Sequence, residues 1–290
     1  MNRCLALMCA LLFAFVSVSS ACMAAPSDWI AFDLKAQSDR REIHATFENE
    51  RRGGEDNHWS NGFKPSELIG LDTAGFYSAG SRPLRFAIVR EAGRLDCAGN
   101  GGSSSASGNC GFTADPGFTQ LLASRGIGHP SREQAFGLMA LDVRRSLIDA
   151  VAAARYPTPK IDDLMSMTAV GVDAAYIGDL ARAGYRPNSI DTLVEFKALD
   201  ISPDWIGGFA RIGYANIPSD DLVQLKALDV SPGFVSGFEQ IGYGRLKVDQ
   251  LVQLKALDVT PEFARAAVGQ TRPLPTVDEL IEIKLLGRRR

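Results

Sequence analysis

Lys197, Lys226, Lys255 and Lys284 stand 29 residues apart along the chain. In a stacked helical repeat, equivalent positions line up along one face, so this column would form a ladder of ammonium groups able to engage an acidic partner or polymer. The plainer alternative is a solvated face. There each lysine would sit near the aspartate three residues on, as Lys226 does before Asp229, and exposed pairs of that kind contribute little. A second candidate is His58-Trp59, where a ring and an imidazole could line a glycan or small-ligand site; surface or packing roles are the alternative. His44 and His129 are scattered. The chain carries no His-Glu-x-x-His, Gly-x-Ser-x-Gly, phosphate-binding glycine loop or Cys-x-x-Cys, the spacings that would announce zinc, acyl-transfer, nucleotide or redox chemistry. The expectation is a binding protein rather than an enzyme, with no catalytic residue, no cofactor and no metal ligand assigned.

The lysines belong to a longer pattern that must position them. The nonapeptide Leu-Val-Gln-Leu-Lys-Ala-Leu-Asp-Val occurs at 222–230 and again at 251–259. Leu164, Leu193, Leu222, Leu251 and Leu280 keep the same 29-residue step. So do an aromatic column, Tyr176, Trp205, Phe234 and Phe263, and a tyrosine column, Tyr156, Tyr185, Tyr214 and Tyr243. Periods of this size mark solenoids or arrays. Each unit reads as two short helices. Leu222, Leu225 and Leu228 fall on one helical face. Asp220 and its counterparts suit an N-cap or first turn. Asp229 stands where other units have Gly171 and Gly287, which predicts a left-handed residue after the helix. Ser231-Pro232 then starts a second helix, and Phe234, Phe238 and Ile241 line its inner face. The aromatic column is expected in the core. Asp115-Pro116-Gly117-Phe118 repeats Ser231-Pro232-Gly233-Phe234, so the array begins near 115 with a half unit and ends at 287 with another.

The region before it differs. Trp29 to Ala36, Glu42 to Glu48 and Leu84 to Arg90 alternate with period two, the mark of half-buried strands. Turns are expected at 51–56 and 91–93, and a short helix at 65–71. Cys97 and Cys110 are expected on two neighbouring strands flanking a Gly/Ser stretch that reads as a flexible loop. A pair of cysteines in an exported chain predicts a disulfide, and closing a loop of this length stabilises by about 3 kcal/mol.

The first residues give the expectation of export. Arg3, the apolar run from Leu5 to Val18 and the small residues up to Ala25 have the form of a secretory signal peptide. Cleavage after Ala24 is expected, and lipidation of Cys22 is the lesser alternative. No other run would span a bilayer. The formal net charge of −3 and the lack of a basic stripe disfavour nucleic acid as a partner. The fold class is therefore α+β: a signal peptide at 1–24, a small antiparallel β domain at 25–114 holding the Cys97–Cys110 bond, an α-solenoid of two-helix 29-residue repeats at 115–287, and a basic tail at 288–290.

The units Asp-x-Leu-Val-x-Leu-Lys-Ala-Leu-Asp-Val-Ser-Pro-x-Phe-Val with the closing Gly-Tyr resemble a helical repeat of uncharacterised exported bacterial proteins. They are similar to the repeats trailing membrane metallopeptidases of the beta-lactam-sensing antirepressor type. The zinc motif and membrane helices of those peptidases are absent from this sequence, so the resemblance implies no peptidase activity. Asp200, Asp229 and Asp258 depart from the glycine expected there. The reading that follows is a periplasmic or secreted scaffold that binds a protein partner through its helices. Binding of an envelope glycan or small ligand by the β domain, and an enzyme of unrecognised type, stand as alternatives.

Overall fold

The structure is a computed structural model that describes residues 29–49, 57–269 and 274–287. The expected signal segment with Cys22, the turn at 51–56 and the tail at 288–290 lie outside those residues.

Six strands form one antiparallel sheet: β1 (Ile30–Ala36), β2 (Ile43–Asn49), β3 (Asn57–Phe63), β4 (Arg82–Arg90), β5 (Gly93–Gly102) and β6 (Ser105–Ala114). Its order is β3-β2-β1-β6-β5-β4. Two three-stranded meanders thus join through β1 and β6, with Ile30 opposite Cys110. The alternation read in β1 has its physical cause in the two faces of the sheet: Ile30, Phe32 and Leu34 are buried, while Lys35 is exposed. Between the meanders come a single 3-10 turn at Pro65–Glu67, in place of the longer helix expected at 65–71, and the short helix α1 (Thr73–Tyr77).

The Gly/Ser stretch is not a loop. It is the tip of the β5–β6 hairpin, and only Ser103 and Ser104 turn, both with positive φ of 53° and 70°. This is the backbone form that two-residue hairpins require. It is held by α1, since Ser103 N donates to Ser78 O and Ser104 N to Phe76 O. The glycines serve close strand approach rather than flexibility: a Cβ at Gly99 would stand 2.1 Å from Ser107 O, and one at Gly108 2.3 Å from Ala98 O. Cys97 and Cys110 are direct cross-strand partners with their sulfurs at bonding distance, 2.03 Å.

Among the described residues twelve helices follow: α2 (Pro116–Ser124), α3 (Arg132–Ala140), α4 (Arg145–Ala153), α5 (Ile161–Ala169), α6 (Ala174–Arg182), α7 (Ile190–Ala198), α8 (Pro203–Arg211), α9 (Ser219–Ala227), α10 (Pro232–Glu239), α11 (Val248–Ala256), α12 (Pro261–Val268) and α13 (Val277–Gly287). Apart from the consecutive pair α12 and α13, these contacts skip one helix. In one series α3 touches α5, α5 touches α7, α9 touches α11 and α11 touches α13; in the other α4 touches α6, α6 touches α8, α8 touches α10 and α10 touches α12. Helices this short are marginal alone in water, so each owes its existence to its neighbours.

The local signals explain where each helix starts and stops. Asp115, Asp173, Ser202, Ser231 and Thr260 each accept the backbone N–H three residues on, which caps α2, α6, α8, α10 and α12. Asp162, Asp191, Asp220, Asp249 and Asp278 occupy first turns rather than N-caps. The left-handed residue after the first helix of each unit is present at Asp142, Gly171, Asp200, Asp229 and Asp258, with φ of 60°, 84°, 54°, 53° and 56°. The next residue then donates back five positions, as Val230 N does to Leu225 O, and buries its side chain. Gly287 departs from the series: it closes α13 without positive φ.

Candidate binding surface

The lysine column is built into the joints between units. Lys226 Nζ lies 3.7 Å from Asp200 and 5.7 Å from the centre of the Trp205 ring. Lys255 stands 3.8 Å from Asp229 and 5.3 Å from the Phe234 ring. Lys284 stands 3.1 Å from Asp258 and 4.9 Å from the Phe263 ring. Each lysine therefore reaches back to the aspartate and aromatic residue of the preceding unit, not forward to the aspartate three residues on. The geometry follows from stacking. The lysine leaves the last turn of its helix on the side facing the previous unit, where the left-handed aspartate has turned outward. Half-sheltered cation–π contacts of this kind contribute about 0.5–1 kcal/mol each, and the exposed ion pairs less. The expected free ladder is replaced at these three positions by a repeated clamp. The aromatic column, read as core, is split: Tyr176 is buried, while Trp205, Phe234 and Phe263 are half-buried beneath their lysines.

The clamp is incomplete at two neighbouring joints. Lys197 lies 4.6 Å from the Tyr176 ring, but the acid's position is Gly171, so it has no aspartate there. One joint earlier the lysine's position is Thr168, whose hydroxyl turns back to Leu164 O at 2.9 Å. Leu147 replaces the aromatic ring, and Asp142 is taken instead by Arg144, at 2.7 Å. That hydrogen bond raises the arginine's pKa above its ordinary value. An open cleft of about 490 Å³ lies at this joint, lined among others by Asp142, Arg144, Leu147, Thr168, Gly171 and Asp173. It occupies the place that a lysine stem and ring fill in the later units.

The tyrosine column holds the opposite ends of the units together. Tyr185 and Tyr214 donate their hydroxyls to Ile217 O and Leu246 O, at 3.0 and 2.8 Å. Arg186 and Arg245 lie over the Tyr156 and Tyr214 rings. Burial raises the pKa of Tyr156, Tyr176, Tyr185, Tyr214 and Tyr243.

Trp59 is spent on packing. It stacks on Phe47 with ring centres 4.7 Å apart and meets Phe136 of α3 edge-on at 6.1 Å. Arg90 lies over it at 5.5 Å and donates to Met139 O and Ala140 O at the end of α3. Burial lowers the pKa of this arginine, opposed by Asp142 and Glu67. His58 points from the other face of β3, exposed, with Nδ1 3.6 Å from Glu48. The sheet thus places His58 and Trp59 on opposite faces, because adjacent strand residues alternate, and the two cannot line one site.

No family model matches the chain, and neither a curated protein nor a solved structure matches it.

The sheet–helix joint was almost invisible to sequence reasoning. Besides Arg90, Glu91 accepts Arg145 N at 2.7 Å, and Arg145 reaches Asp115 at 3.0 Å. Glu91 thereby supplies the cap that α4 lacks, since Arg144 provides none. The one local signal was Arg144 itself, an arginine where the other units carry Ser, Thr or Asp. Among the described residues no group of three or more His, Cys, Asp or Glu side chains could hold a metal ion, and no helix is long and apolar enough to cross a membrane.

Proposed function

We propose that this protein is an exported scaffold whose paired helices form an α-solenoid and dock a protein partner in the cell envelope. Export is supported by the charged-then-apolar start of the sequence and by the Cys97–Cys110 pair, since such bonds persist in oxidising compartments. The six-stranded sheet closes the first end of the array, and the clamped units give the stiffness that an extended docking surface needs.

The observation that carries the reading is the break in the clamp at Thr168 and Gly171. Three successive joints keep lysine, aspartate and ring together, whereas two adjacent ones each lack part of the clamp and leave a cleft lined by Asp142 and Arg144, with Lys197 next to Gly171 at its edge. A purely structural array would gain by keeping the clamp at every joint. The partner is a protein segment bearing charge of both signs, able to engage Lys197 and Asp142 together.

The test is to complete the clamp. The double substitution Thr168→Lys, Gly171→Asp supplies both missing groups in positions where the other units carry them. In-cell crosslinking of the full chain is expected to capture a discrete protein that the double variant fails to capture. A partner retained equally by the double variant would remove the cleft from the function.

A further inference from the structure

What fits the cleft at Thr168 is shown by the chain itself at its later joints. There the same place is filled by a lysine of the following unit: Lys226, Lys255 and Lys284 reach Asp200, Asp229 and Asp258 at 3.7, 3.8 and 3.1 Å. These lysine side chains are only 26%, 31% and 16% exposed. Each four-carbon stem is therefore packed, and the ammonium alone reaches out to its aspartate.

The first joint keeps the receiving half of that arrangement. Asp142 has the same left-handed backbone as Asp200, Asp229 and Asp258, with φ of 60° against 54°, 53° and 56°, so its carboxylate leaves the chain in the same direction. The giving half is gone, because Thr168 is too short and its hydroxyl is turned back on its own helix. Lys197 does not take the place, since its Nζ lies over the Tyr176 ring at the next joint.

The walls of the cleft suit the missing group. Leu147 and Val172 line it and are buried, which gives an alkyl stem an apolar bed. The charged residues of the lining are Asp142, Arg144 and Asp173, two carboxylates to one guanidinium, so the balance favours a cation. Arg144 does not exhaust Asp142. Both of its bonds, at 3.0 and 2.7 Å, go to Oδ2, which leaves Oδ1 to accept from an ammonium.

We infer that the cleft takes a lysine side chain of the docked partner protein, with its stem on Leu147 and its ammonium on Asp142, so that the clamp is completed by another chain. The inference rests on the reading of this cleft as the docking site and adds what enters it. Acetylation of that lysine would remove the charge and close the site to it.

The test is a titration of the purified, isotope-labelled protein with Nα-acetyl-lysine methylamide, followed by the amide resonances. Shifts are expected at Thr168, Gly171 and Val172, and far smaller ones with the Nε-acetylated form of the same probe. Asp142→Asn keeps a residue that tolerates the left-handed backbone and should weaken the probe about two- to fivefold, the size of a partly exposed ion pair. Leu147→Phe restores the ring that later units carry and should tighten it about two- to fivefold through the cation–π contact. Thr168→Lys, which fills the place from within, should abolish the response. Unmoved resonances in the sheet establish that each variant is folded. A cleft that ignores the lysine probe, or answers its acetylated form equally, overturns the inference even where capture in cells still depends on the cleft. A cleft that binds the probe, with a partner retained equally by the double variant Thr168→Lys, Gly171→Asp, removes instead the docking reading and with it the protein source of the lysine.

Discussion

The sheet and the helical array solve the same problem by opposite means. In the sheet, the strand that comes first pairs with the one that comes last, Ile30 against Cys110. The cross-strand bond of Cys97 and Cys110 lies at the middle of the second meander. In the array, most helices touch the next but one, and each lysine of the column reaches back to the preceding unit. The sheet is thus a closed structure that forms with all its distant pairings or not at all, whereas the array is a chain of local joints. Contacts close in sequence form quickly and fail locally; distant ones are slow and cooperative.

That contrast can be broken from either side. The largest effect is expected from Phe238→Ala in α10, whose side chain is fully buried. The loss should be about 3–5 kcal/mol. If joints are local, urea should melt the later helices first, followed by circular dichroism, while the fluorescence of Trp59 at the sheet joint holds. Replacing Cys97 and Cys110 together by alanine should remove about 3 kcal/mol and show the reverse order, with Trp59 fluorescence lost before most of the helical signal. Arg90→Met tests the joint between the two. It keeps the stem over Trp59 but abandons Met139 O and Ala140 O, at a cost of about 2 kcal/mol. One unfolding transition should then separate into two in calorimetry.

Alkaline pH should single out the array. Burial raises its five tyrosines, so the folded form keeps protons that the unfolded chain releases. Their contribution is whole below the unfolded value of about 10 and is lost as pH climbs beyond it toward the folded values. Helical circular dichroism should therefore fall above that point while Trp59 fluorescence persists longer. The smallest effect belongs to the clamp. A double-mutant cycle on Lys255→Met and Asp229→Asn should give a coupling of at most about 1 kcal/mol. A coupling several times larger would mean that the joints are held by charge rather than by the apolar stack.

The array was legible because it repeats. Ser231-Pro232, Asp229 and Leu225 each state a local rule, and the copies state it again, so helix starts, left-handed ends and buried columns could be read from spacing. The strands of β1, β2 and β4 were legible from alternation. β3 was not, and β5 and β6 were legible only as the two neighbouring strands that carry Cys97 and Cys110. Asn57-His-Trp-Ser-Asn-Gly-Phe63 lacks branched residues, and Gly99 and Gly108 look like flexibility when their role is to let two backbones approach. The turn at Ser103-Ser104 carries no glycine or asparagine; carbonyls of Phe76 and Ser78, distant in sequence, hold it. For the same reason the lysines were placed on the correct face but given the wrong partners. Spacing along one helix offers Asp229 to Lys226, while only stacking brings Asp200 within reach. The partner that Trp59 packs on was not legible, because no local pattern announces Phe136 across the sheet–helix joint.

The reach of the clamp has a consequence for how such a chain can change over time. Removing residues 222–250 would leave Lys255 facing Asp200 and Trp205, the partners that Lys226 has now. Duplicating the same stretch would create no new kind of joint. The array's length is thus adjustable by whole units while the sheet and α13 stay as they are. The identical nonapeptides at 222–230 and 251–259 are what a recent copying of one unit would leave behind.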